Sequence, residues 1–137
     1  MRHHTKDKGD AGLGFVIASL LGQGIQVALP LSEHLPFDCI AINEEGHLKR
    51  LSVKYRAAKE GVIEVSKRSS WADKNGTHIR HHQTGDYDAF AIYCPDTRQC
   101  YFVRTEEFDK FLCLRVDGKS YSNGKKAQDY VDASRLF

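Results

Sequence analysis

The chain has 137 residues, 41% hydrophobic and 28% charged, which suits one packed domain and excludes a disordered chain. Its longest apolar run, residues 14–21, falls short of the ~20 residues that cross a bilayer. The polar start, Met1 to Lys8, has no apolar stretch behind it as a secretory leader would, so an intracellular protein of cytoplasm or nucleoid is expected. The net charge of +2 hides a division: residues 47–85 hold nine Lys/Arg against Glu60, Glu64 and Asp73, a surplus of six, so the rest sums to −4. A basic segment in a nearly neutral protein points to a polyanionic partner, with an ordinary solvated face as the alternative.

Along the chain, residues 1–9 read as a flexible terminus and residues 10–137 as a single domain. Leu13, Val16, Ile17, Leu20 and Leu21 fall on one stripe of a helix, with Asp7 or Asp10 as its cap and Gly22 and Gly24 at its end. Residues 25–31 read as a strand. Residues 37–43 and 48–56 read as a hairpin around Glu44-Glu45-Gly46, and residues 62–67 as a further strand. Residues 69–86 are polar and read as a long loop or excursion containing Trp71 and the turn signals Asn75-Gly76 and Thr84-Gly85.

Residues 89–94 and 100–104 form a second hairpin pattern. Thr105 would cap a short helix carrying Phe108, Phe111 and Leu112 to the core, followed by an edge strand at 114–117. A last helix is expected from Asn123-Gly124, with Ala127, Tyr130 and Val131 on one side. The order of elements suggests an α/β sandwich on a mixed sheet. Cys39, Cys94, Cys100 and Cys113 form no CxxC pair and read as reduced thiols.

The first hairpin concentrates the chemistry. Asp38 opens one strand and Lys54 lies near the end of its partner, in Ser52-Val53-Lys54. A three-residue loop with Gly46 in the left-handed region would pair Asn43 with His47 and Asp38 with Ser52, placing Asp38, Ser52 and Lys54 on one face. A two- or four-residue loop would separate Asp38 from Lys54. A carboxylate and an ammonium side by side suit metal-dependent phosphodiester hydrolysis, and a surface salt bridge is the plain alternative. Trp71 suits either a DNA contact or packing of the excursion. His78, His81 and His82, with His3 and His4, match no standard zinc spacing and suit a solvated or DNA-facing surface.

Lys8-Gly9-Asp10-Ala11-Gly12, the helix, Pro36-Phe37-Asp38 and Ser52-Val53-Lys54-Tyr55-Arg56 arrive in a familiar order. With Ser70-Trp71-Ala72-Asp73, Ala91 to Asp96 and Asn123-Gly124 further on, nearly the whole chain resembles the PD-(D/E)xK nuclease superfamily, and most of all its intron-encoded homing endonucleases. The resemblance implies an α/β (α+β) restriction-endonuclease-like fold, a mixed β-sheet flanked by helices. It implies Mg²⁺ or Mn²⁺ as cofactor, double-stranded DNA as substrate, and a homo-oligomer, dimer or tetramer. Asp38 matches the metal-binding aspartate, Lys54 the lysine, and the Val53 carbonyl a further metal ligand. Ser52 stands where the superfamily has Asp, Glu or Gln, and Leu13 where many members have a helical glutamate. Asp10, one turn earlier on the same helix face, would supply that missing carboxylate or else cap the helix. Arg50, Arg56, Lys59, Lys67, Arg68, Trp71, Lys74, His78 and Arg80 are the expected DNA contacts. A junction resolvase, a DNA-binding module with a decayed centre and a plain interaction domain are the alternatives.

Overall fold

The computed structural model describes residues 4–81, 85–119 and 124–137, and of residues 68–73, 80 and 81 it describes the backbone. His3, His82, Thr84 and Asn123, singled out above, lie outside the described residues. The chain runs through helix α1 (His4–Gly22), then β1 (Gln26–Ala28), β2 (Cys39–Ile42), β3 (Leu48–Tyr55) and β4 (Val62–Ser66). There follow β5 (Arg68–Asp73), β6 (Gly76–His81), β7 (Ala89–Cys94), β8 (Gln99–Arg104), β9 (Phe111–Arg115) and β10 (Lys125–Lys126).

Strands β1-β2-β3-β7-β8 form a mixed sheet in that order, antiparallel except for the central β3–β7 pair. Every residue of β7 is buried, as a strand covered on both faces requires. On one face, Val16 and Leu20 of α1 pack with Cys39, Leu51, Phe102 and Leu136. On the other, a second sheet of order β10-β9-β4 brings Ile63, Val65, Leu112 and Leu114 against Phe90, Ile92 and Tyr101. The β2–β3 hairpin packs through Cys39, Ala41 and Leu51 into the α1-side layer, while β7 and β8 carry the second layer.

The helix starts ahead of Asp7 and Asp10, so neither caps it, and residues 4–9, expected as a flexible terminus, lie in its first turns. Its buried line is Gly12, Val16 and Leu20, whereas Leu21 of the expected stripe is 50% exposed. Phe15 leaves that line too and instead stacks on Tyr93, ring centroids 4.1 Å apart.

Among the expected elements, one is refined and three are corrected. Refined is the loop or excursion at 69–86, in which β5 and β6 pair as an antiparallel ribbon turning at Lys74-Asn75. The helix expected after Thr105 is a single 3-10 turn, Thr105–Glu107, and the chain then enters β9. Leu112 and Leu114 point inward while Phe111 is 61% exposed, a two-residue period that the Phe108/Phe111/Leu112 spacing masked. Strand β9, expected as an edge, is the middle of its sheet. The last helix is replaced by 3-10 turns at Ala127–Tyr130 and Ala133–Leu136. Buried Ala127 and Tyr130 are three apart, a spacing that stacks in a 3-10 turn as well as it shares a helix face.

Candidate active site

The β2–β3 hairpin closes as a three-residue loop. The Asn43 amide donates to the His47 carbonyl (3.1 Å), the Gly46 amide to the Asn43 carbonyl (3.0 Å), and Gly46 has φ +84°. A side chain at that φ is strained, which is why glycine closes the turn. The ladder then runs from Ile42↔Leu48 to Cys39↔Leu51. Asp38 is the next residue, and its amide donates to the Leu51 carbonyl at 2.8 Å. The register is the one that sets Asp38 beside Ser52.

Asp38 is held by more than its backbone. Its Oδ2 accepts the Val53 amide at 2.7 Å, a charge-assisted bond that fixes the carboxylate at the end of the hairpin. Asp38 also lines a cavity of about 780 Å³, together with Asp10, Leu13 and Val53, and with Lys6 and His4. Two carboxylates, from elements far apart in sequence, thus line one space.

Helix α1 approaches β3 closely because Gly12 presents no side chain. A Cβ there would sit 3.4 Å from Cβ of Tyr55. That contact places the turn before Gly12 over the hairpin end. Lys6, not singled out from the sequence, lines the same cavity four residues before Asp10. Extending the helix stripe toward the N-terminus finds it.

Ser52 is 5% exposed and contributes a neutral hydroxyl next to Asp38 in the ladder. Lys54 comes from the same strand and passes over the Phe90 ring, Nζ 5.7 Å from the centroid. Burial lowers its pKa from the ordinary lysine value, Arg56 lowers it further by like charge, and the Asp38 carboxylate pulls the other way. Asp38 and Lys54 therefore interact electrostatically, although Lys54 is not part of the cavity wall. Next to Asp38, Cys39 is pushed up to about 12 by burial and then by that carboxylate, which makes it a poor nucleophile. Cys94 and Cys100 are buried free thiols, as expected.

The expected DNA contacts divide. Arg50 is spent within the fold: Nε and Nη2 donate to Asp88 at 3.3 and 3.2 Å, and Nη1 donates to the Gly85 carbonyl. Lys67 Nζ donates to the carbonyls of Thr105 and Phe108, both at 2.9 Å. Both side chains thus bond within the fold. Arg56 and Lys59 line a cavity of about 440 Å³ beyond the end of β3, and Lys74 is exposed at the ribbon tip. In the ribbon Trp71 pairs with His78, Ser69 with Arg80, and Arg68 with His81. Among the described residues no group of three or more His, Cys, Asp or Glu gathers as a metal cluster.

A family model described as PD-(D/E)XK endonuclease matches residues 3–133. The chain belongs to the PD-(D/E)XK endonuclease family. The fold of this endonuclease is similar to that of a solved bacterial homing endonuclease, I-Ssp6803I. The two share 20% identity and a TM-score of 0.74, over 98% of this chain and 93% of that one. No curated protein matches it. The mixed sheet with α1 on one face is the nuclease fold that the resemblance implied. The endonuclease has no described helix long and apolar enough to cross a membrane.

Proposed function

We propose that this endonuclease cuts double-stranded DNA at a specific site with the help of Mg²⁺ or Mn²⁺, in the manner of a homing endonuclease. The observation that carries the reading is the convergence of Asp10, Asp38 and Val53 on one cavity, with Lys54 within the electrostatic reach of Asp38. Two carboxylates and a main-chain carbonyl are hard oxygen donors of the kind that would hold a small divalent ion. Such an ion polarises the phosphoryl oxygen and acidifies a water molecule.

The chain's own residues do the rest. The Val53 amide holds Asp38 in one orientation, leaving Oδ1 as a ligand. Asp10 supplies the helix-borne carboxylate that Leu13 does not. Lys54 orients the attacking water and steadies the charge that grows on the phosphate. Arg56, Lys59 and Lys74 contact phosphates. Cutting both strands needs two centres, so the working form is a homo-oligomer of two or four copies.

A cleavage assay on supercoiled plasmid and on four-way junctions, with Mg²⁺, Mn²⁺ or EDTA, tests this. Linearisation that needs the metal and is lost in Asp38→Asn supports the reading. Cutting of junctions alone means a resolvase. DNA binding without any cutting means a decayed centre, the reading that buried Ser52 and Leu13 favour.

A further inference from the structure

The excursion expected at residues 69–86 contains a two-stranded ribbon, β5–β6. Its strands hydrogen-bond each other and join neither of the larger sheets. At six residues each they extend roughly 20 Å. An isolated two-stranded ribbon is marginal in water, so something must hold it.

Both of its ends are held. Before β5, the Lys67 amide donates to the Lys110 carbonyl (3.2 Å), and Nζ bonds two carbonyls while lying 4.4 Å from the Phe108 ring centroid. After β6, the Gly85 carbonyl accepts from Arg50, which also grips Asp88 at the start of β7. Two cations that the sequence suggested for DNA make bonds at the ribbon's base.

Between the clamps stand Arg68, Lys74 and Arg80 against Asp73, with His78 and His81. Lys74, Thr77 and Ile79 are exposed, and Thr77 and Ile79 share a face by strand alternation. The segment's sequence carries these three cations against one carboxylate, and its described surface presents Lys74, the Thr77 hydroxyl and the methyls of Thr77 and Ile79 to solvent. The major groove of duplex DNA admits a two-stranded ribbon and displays acceptors, amino donors and thymine methyls to it.

We propose that the β5–β6 ribbon reads base edges in the major groove of duplex DNA. The inference deepens the endonuclease reading and rests on DNA being the substrate.

The test is selection from a randomised duplex library in EDTA, scored by binding. It uses the full chain and a variant in which residues 70–79 are replaced by Asn-Gly, keeping the Ser69–Arg80 pair as the last rung. The unaltered protein should recover a consensus. Replacing a contacted consensus purine by its 7-deaza analogue, which lacks the N7 acceptor of the major groove, should weaken it about tenfold. The shortened variant should bind at low salt, recover a degraded consensus and ignore those 7-deaza changes. If its melting shows that it does not fold, the Thr77→Ala/His78→Ala double variant takes its place with the same expectation.

The same consensus from both proteins, no consensus from the unaltered protein, or indifference of that protein to 7-deaza purines overturns the proposal. Failure of the unaltered protein to cut its consensus duplex in Mg²⁺ overturns the endonuclease reading alone, because the selection does not depend on cutting.

Discussion

Asp38 and Asp10 reach the same cavity from different constraints, and substitution separates them. Asp38→Asn keeps an oxygen that can accept the Val53 amide but removes the charge, so the hairpin should survive while metal-dependent cleavage falls at least a hundredfold, on the order of a lost charge-stabilising group. Asp10 lies within α1 rather than at its cap, so Asp10→Asn should leave the melting temperature nearly unchanged and cost cleavage as severely. A mild effect on cleavage would remove Asp10 from the centre. Glu107 offers a stability test away from the site. Burial alone would raise its pKa, but Arg135 bonding it at 2.6 and 3.1 Å, with the Arg104 amide, brings it below the ordinary 4.5. Unfolded chains bind that proton first, so the stabilisation is complete above about pH 4.5 and is lost as pH falls through the lower folded value. Glu107→Gln should cost about 2 kcal/mol in urea unfolding at pH 7 and much less at acid pH.

At the scale of elements, the contact of α1 with β3 decides whether the two carboxylates face one space. Gly12→Ala should be tolerated, since its Cβ would make an ordinary contact with Tyr55. Gly12→Leu should force the helix off the hairpin, costing roughly 1–3 kcal/mol by overpacking and lowering cleavage more than DNA affinity. Thermal melting and cleavage rates on the two variants check this. The hairpin register was legible only as one of three loop lengths, and Gly46 in the left-handed region marks the three-residue one. The helix stripe and both hairpins were legible for similar local reasons. The clamping roles of Arg50 and Lys67 were not, because their acceptors, Asp88 and the Thr105 and Phe108 carbonyls, lie 38 or more residues away and leave no local pattern. The short apolar runs after Thr105 and Asn123 were ambiguous in themselves. The neighbours that made one a strand and the other 3-10 turns come from β4 and from the underside of the main sheet.

For the molecule as a whole, the basic surplus of residues 47–85 is divided between internal bonds and an outward surface. DNA affinity should therefore fall with log salt, and Lys59→Ala and Lys74→Ala should each reduce the slope by about one. Lys67→Met removes a clamp and not a phosphate contact, so it should alter sequence preference with little change in slope. Titrations of a duplex between 50 and 200 mM salt would show the difference. The placement of the ribbon between its two clamps has a further consequence. The chain leaves the body beside Lys67 and returns at Gly85, points already tied to neighbouring strands, so whatever lies between is a closed loop in the polymer sense. Doubling such a loop costs only about 0.6 kcal/mol of closure entropy. If the ribbon reads the target as proposed, its insertion, deletion or wholesale exchange would leave the hairpin with Asp38 and Lys54 undisturbed, and a lineage carrying this scaffold could then drift to a new target sequence without rebuilding that hairpin.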